Sequence, residues 1–161
     1  MKTMNKLSKY IYFNVVFFFL IFVNIYFSGL IIHLLSMEGS FSRGLVNITY
    51  TENTGAAFSL MQDSVGLLIG LSITAVLIIF LYVIKSIQRI QLIELFFIAF
   101  MVAGILGNLY ERVFFGYVRD FFELTFINFP VFNISDIFIN IGVFGIIILI
   151  LLSKKSAKIN N

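Results

Sequence analysis

The chain contains no cysteine, which removes disulfides, thiolate metal sites and a cysteine nucleophile from consideration. Charge is scarce as well: 12% of residues are charged, where an ordinary soluble domain carries about a quarter. Histidine occurs once, at His33, and neither an internal repeat nor a low-complexity linker interrupts the chain. Hydrophobic residues fill the space, at 60% of 161 positions. Such a composition belongs to a membrane protein. A helix needs roughly 20 residues to cross the hydrocarbon, so the length allows a few spans with short connections, and 1–161 is expected to form a single integral membrane domain.

Four apolar segments stand out, at about residues 10–35, 65–84, 92–110 and 132–152. Their lengths suit helices crossing a bilayer with some tilt. The charges orient them. Lys2, Lys6, Lys9, Lys85, Arg89, Lys154, Lys155 and Lys158 fall in the two tails and the second connection, which four spans place on one side. Only Arg43, Arg112 and Arg119 fall on the other, so eight of eleven basic residues mark the cytoplasmic face and both termini are expected there. Seven of the eight acids, all but Glu94, accompany the first and third connections. The N-terminal run is too long for a signal-peptide core and lacks an A-x-A site; it reads as a retained first span.

Polar residues gather in two places. The stretch "FSRGLVNITYTENTGAAFSL" mixes β-branched and aromatic residues with a turn signal at Asn53 to Gly55, which favours a short strand or hairpin. Such backbone must lie in the interface or against the helices. Asp136, in "VFNISDIFINIG" at the start of the fourth span, is costly in hydrocarbon and is expected to face the bundle interior or a wet cavity. Asn133, Asp136 and Asn140 share one helix face by their spacing. This face also reads as a capped helix start with two interhelical hydrogen bonders. Asp120 lies on the same outward excursion and can reach the boundary where Asp136 sits. Two carboxylates sharing a site leave one protonated and one ionised near neutral pH, a pair able to activate water against a peptide carbonyl.

Three stretches together resemble the bacterial lipoprotein signal peptidases, the signal peptidase II family. "NTGAAF" at 53–58 is similar to that family's N-x-G-A-A/S-F/W box, "GNLYERVFFGYVRDFF" at 107–122 to its G-N-x-x-D-R and V-x-D-F box, and "FNISD" at 132–136 to its F-N-x-A-D box. The resemblance implies an all-α membrane protein of four transmembrane helices, with a small extracytoplasmic β-rich cradle and both termini cytoplasmic. It implies an aspartic endopeptidase of the bacterial plasma (inner) membrane that cuts prolipoprotein signal peptides before a diacylglyceryl-modified cysteine. Asp120 and Asp136 would be the catalytic pair, with Asn53, Gly55, Asn108, Arg112 and Asn133 as substrate-binding or supporting residues; Gly107 and Gly116 would serve close backbone approach and turns. No metal or organic cofactor is implied. The expected partners are lipid-modified precursors and membrane lipid, with no nucleic acid and a monomeric state.

The chain departs from the family pattern at several points. Asn24 and Ser28 stand where the first span usually carries aspartate and lysine, Glu111 where aspartate is usual, and Ser135 in place of alanine. These departures admit a divergent, catalytically silent homologue that binds precursors. A third reading uses Asn133, Asp136 and Asn140 as an intramembrane proton or ion relay. Phe114, Phe115, Phe121 and Phe122 are expected to cover the site or dip into the interface, and His33 reads as interfacial. The pairs Gly66/Gly70 and Ala103/Gly107 are expected to mark close helix packing inside the monomer.

Overall fold

A computed structural model describes residues 4–55 and 64–159. Its elements run α1 (Lys6–Glu38), β1 (Phe41–Arg43), β2 (Val46–Asn53), α2 (Val65–Ser86), α3 (Leu92–Phe115), β3 (Val118–Leu124) and α4 (Ile134–Ile159). All four helices are long and apolar enough to cross a membrane, and the protein is a multi-pass membrane protein.

Most helix ends lie beyond the apolar runs, because caps rather than hydropathy set them. Asn5 accepts the Ser8 amide at 2.8 Å to open α1, and Gly39, at φ 72°, returns its amide to the Leu35 carbonyl to close it. The third helix does not stop near Tyr110. It continues through Glu111 and Arg112 until Gly116, at φ 82°, takes the left-handed cap and donates to the Arg112 carbonyl. Arg112 therefore sits on a rigid helix one turn above Asn108.

The hairpin expected in the first connection forms, but it turns earlier than the Asn53–Gly55 signal. Gly44, at φ 72°, and Leu45 make a two-residue turn that pairs Phe41 with Ile48 and Arg43 with Val46. The Asn53 end of β2 instead pairs with β3, giving the antiparallel order β1-β2-β3. Thr51 faces Asp120 and Asn53 faces Val118, with a register irregularity between Ile48 and Thr51. Phe132 adds an isolated bridge to Phe122. This sheet lies at the end of the bundle where α1 and α3 finish. At the opposite end Lys9 is buried and donates to the Gln88 and Ile90 carbonyls, pinning the α2–α3 turn to α1.

Lipid tails are as apolar as leucine, so helices in a membrane are held by close packing rather than by expulsion from water. The tightest packing here is between α3 and α4. A Cβ on Gly142 would lie 2.6 Å from the Met101 amide nitrogen and 2.7 Å from the Phe97 carbonyl oxygen. One on Gly145 would enter the Phe97 ring, and one on Gly104 would meet the Ser135 carbonyl. Ala103 is fully buried and Gly107 lies against Asn24 and Ser135, as their spacing suggests. The Gly66/Gly70 pair does not behave in that way. Among the described residues nothing approaches within 4 Å of a Cβ built on either glycine, so that motif packs against none of the described helices. Spacing alone cannot say which face of α2 meets a neighbour, and here Leu68 and Val83 are the buried positions.

A paired substitution checks this packing. Gly142→Ala is expected to destabilise the protein by about 1–3 kcal/mol, the usual range for overpacking, while Gly66→Ala leaves stability unchanged or slightly raised. Thermal unfolding of the two variants in one detergent measures the contrast.

Candidate active site

The site is assembled where three backbone devices meet. The first is the start of α4. Asn133 precedes the helix, and its Oδ1 accepts the Asp136 amide at 3.0 Å while Asp136 Oδ2 accepts the Asn133 amide at 3.1 Å. This reciprocal pair is a capping box with aspartate in the third helical position. It satisfies two otherwise orphaned donors and fixes the rotamer of Asp136 in the same act.

The second device is the bridge at Phe132. The Phe121 and Phe122 amides both donate to the Phe132 carbonyl, and the Phe132 amide returns to Phe122. That clasp sets Asn133 beside β3, and its Nδ2 donates to Asp120 Oδ1 at 2.7 Å and to Asn108 Oδ1 at 3.1 Å. Asn108, from α3, donates in turn to Asp136 Oδ1 at 2.8 Å. The third device is the β2–β3 pairing. Asn53 lies diagonally across from Asp120, and its Nδ2 donates to Asp120 Oδ2 at 2.8 Å.

The result is one continuous network: Asn53, Asp120, Asn133, Asn108 and Asp136. Gly55 and Arg112, the other two residues named as substrate-binding or supporting, touch it. The Gly55 amide donates to Asn53 Oδ1 at 2.9 Å, turning that side chain inward. Arg112 donates to the Gly55 carbonyl at 2.8 Å and to the Asn108 carbonyl at 3.4 Å. Ala56, Ala57 and Phe58, the remainder of the first box, lie outside the described residues. Gly116 ends α3, and Gly107 admits two side chains from neighbouring helices.

Asp120 is 1% exposed. Burial pushes its carboxyl pKa up to about 7, with a further push from the Asp136 charge. The Asn53 and Asn133 amides and the Arg112 charge pull the other way without cancelling the burial.

Asp120 and Asp136 line a single open cavity of about 730 Å³ with Asn53, Asn108 and Arg112 at its polar end. The rest of the wall is apolar. Phe129, Pro130, Val131 and Phe132 form one lip, while Ile137, Ile141 and Phe144 continue down α4. None of these apolar residues was singled out from the sequence. The signal was present in the spacing of Ile137, Ile141 and Phe144, which stand four and then three residues apart on one face of α4.

Of the aromatic residues expected to cover the site or dip into the interface, Phe114, Phe115, Phe121 and Phe122, none lines the cavity. Phe121 is 1% exposed and belongs to the core, Phe122 packs on Phe132, and Phe115 lies under the Arg119 guanidinium at 4.3 Å. Phe114 is exposed. Glu111 does not join the network either; it holds Arg119 through two side-chain hydrogen bonds and accepts its amide at 3.0 Å. His33 is exposed on α1, and Asn140 lines the cavity but donates to the Asp136 carbonyl rather than to the carboxylate.

Two carboxyls on one cavity wall, one of them titrating near neutrality, can share a single proton and act together as acid and base on a bound water. The sequence model described as signal peptidase (SPase) II matches residues 15–152. The chain is 40% identical over 117 residues to the lipoprotein signal peptidase of Gloeothece citriformis, covering 73% of this chain and 72% of that one. It is 33% identical over 118 residues to the lipoprotein signal peptidase of Enterococcus faecalis, covering 73% of each. Among solved structures it resembles a bacterial membrane enzyme determined by the in meso method at 2.3 Å resolution. The TM-score is 0.79 at 26% identity, over 89% of this chain and 90% of that one. A second bacterial membrane enzyme, determined in the same way at 1.9 Å, gives a TM-score of 0.73 at 27% identity over 86% and 92%.

The raised pKa of Asp120 has a thermodynamic signature. Between the ordinary aspartate value and about 7 the folded state holds a proton that the unfolded state has lost, so stability falls as pH rises through that window and levels off above it. Asp120→Asn removes this titration. The melting temperature of that variant, relative to wild type, is expected to climb from pH 5 to pH 8.

Proposed function

The chain belongs to the signal peptidase (SPase) II family, and on that premise we propose that it is a membrane aspartic endopeptidase. Its substrates are prolipoproteins, cut before a diacylglyceryl-modified cysteine. The observation that carries this reading is the Asn133 amide, hydrogen-bonded to Asp120 and, through Asn108, tied to Asp136.

In this mechanism Asp120 carries the shared proton near neutral pH and Asp136 is the base. Water attacks the scissile carbonyl carbon and gives a proton to Asp136, while Asp120 protonates the carbonyl oxygen. The tetrahedral intermediate collapses with cleavage of the C–N bond as Asp136 gives its proton to the departing amine and one hydroxyl of the intermediate returns a proton to Asp120. The pair returns to its one-proton state with one water consumed. Asn53, Asn108 and Asn133 hold the carboxyls, Arg112 braces Gly55 and Asn108, and Gly55 keeps Asn53 turned inward.

The cavity suits a substrate delivered from the bilayer. From Asp136 to Phe144 the helix rises about 12 Å, so the apolar wall descends into the hydrocarbon from the polar end. An apolar signal segment and acyl chains can lie along it while the scissile bond sits at the carboxyls. The sheet stands at the end opposite the α2–α3 turn, where Lys85 and Arg89 lie. With the basic tails cytoplasmic, the site faces outward from the bacterial plasma membrane. The relay reading is weaker, because Asn140 bonds the Asp136 backbone and leaves no side-chain chain along α4.

Cleavage of a lipid-modified precursor by the purified protein in detergent or vesicles tests the proposal. Asp120→Asn and Asp136→Asn are each expected to lower the rate by about a thousandfold or more. Wild-type cleavage should also decline as pH rises through about 7, where Asp120 loses its proton. Unchanged cleavage in either variant would remove that residue from the chemistry, and a wild type that cleaves nothing would leave a precursor-binding protein.

A further inference from the structure

At the base of the carboxyl network lies a second group of polar residues that the mechanism does not use. Asn24, in the middle of α1, is 6% exposed and Ser135, in the first turn of α4, is 4% exposed. Asn24 Nδ2 donates to Ser135 Oγ at 2.8 Å, and Ser28 Oγ donates to Asn24 Oδ1 at 3.3 Å. With its oxygen engaged by Ser28, the Asn24 amide presents its nitrogen to Ser135.

The contact is built, not incidental. It passes through the gap left by the missing side chain of Gly107, where a Cβ would overlap both Ser135 Oγ and Asn24 Nδ2. Three helices therefore meet at one hydrogen bond. Ser135 stands between Asn133 and Asp136, the two members of the capping box. A restraint on Ser135 acts on the helical turn that fixes the Asp136 rotamer. In a medium without water, an amide and a hydroxyl at this depth pair with each other or stay unsatisfied, which makes the contact persistent.

We propose that Asn24 is a positioning residue: the uncharged chain Ser28, Asn24 and Ser135 pins the first turn of α4 to α1 and so holds Asp136 in line with Asp120. All three lie at positions where the chain departs from the family pattern, and the structure joins them into one device. The idea rests on the reading that Asp136 is one of the reacting pair.

Its test uses Ser135→Ala, a small change expected to fold, beside Asn24→Leu, their double variant and Gly66→Ala as a control. Misplacing a reacting group by a fraction of an ångström costs rate rather than binding. Ser135→Ala and Asn24→Leu are each expected to lower kcat about tenfold or more, with KM within about twofold of wild type. The double variant should be no slower than Asn24→Leu, since both changes break the same bond. The double substitution Asn24→Asp with Ser28→Lys, which rebuilds the pin as a charged pair one turn apart, should recover kcat to within about threefold. Hydrogen exchange at the amides of residues 135–138 should quicken about tenfold in Ser135→Ala, while the α2–α3 amides keep their rates.

Wild-type kcat in Ser135→Ala and Asn24→Leu would overturn the proposal, as would a rise in KM at constant kcat. If Asp136→Asn cleaves like wild type, the assignment of the reacting pair fails separately. The exchange measurement then decides the pin alone, and unchanged exchange overturns it.

Discussion

Two carboxyl groups at the edge of a bilayer must be supplied with hydrogen-bond donors by the protein, and the rest of this structure follows from how that is done. A buried carboxylate without partners would take up a proton and lose its use as a base. Asn133 meets the requirement from the centre. Its one amide nitrogen reaches Asp120 and Asn108, its oxygen takes the Asp136 amide, and its own backbone amide goes to Asp136. One side chain thereby caps a helix, joins that helix to α3 and sets the relation of two acids that are 16 residues apart.

Such a hub works only if its neighbours cannot drift. Asn133 is the residue before α4, so its place is set by the α3–α4 packing below and the Phe132 bridge above. Below, Gly104 and Gly142 let the two helices approach to backbone contact, and Gly145 receives the Phe97 ring. Above, the Phe132 clasp binds the chain to the strand that carries Asp120. Arg112 then ties the polypeptide after β2 to α3 through the Gly55 carbonyl. The small sheet functions as a brace between the ends of α1, α3 and α4, and its position at one end of the bundle is what places the two carboxyls there.

Much of this is legible in the amino-acid sequence because a bilayer imposes simple rules. Four apolar runs and the cost of Asp136 in hydrocarbon are one-dimensional signals: the runs correspond to the four long apolar helices, and Asp136 lies on the cavity wall. The pairing of β2 with β3 is not of that kind. Thr51 faces Asp120 across a separation that contains two whole helices, and no local pattern encodes that register. Helix ends were misjudged for a related reason. Glu111 and Arg112 look like the start of a connection by polarity, yet Gly116 is the residue that stops α3. Gly66 and Gly70 show the limit of motif spacing, since small residues permit close packing without specifying a partner.

The choice of donors around the pair is itself informative. The network surrounding Asp120 and Asp136 is made of asparagine amides and a backbone amide, although a cation stands within reach. Arg112 spends its guanidinium on the carbonyls of Gly55 and Asn108. A direct ion pair with Asp120 would oppose the burial that raises its pKa and would favour the ionised form at neutral pH. The asparagine amides fix the carboxyl oxygens in space and pull the pKa down without cancelling the burial. Burial outweighs these donors, and the Asp120 carboxyl is pushed up to about 7. With its guanidinium on two backbone carbonyls, Arg112 ties the chain just after β2 to α3 and leaves the direct hydrogen bonds to the carboxyls to the asparagines.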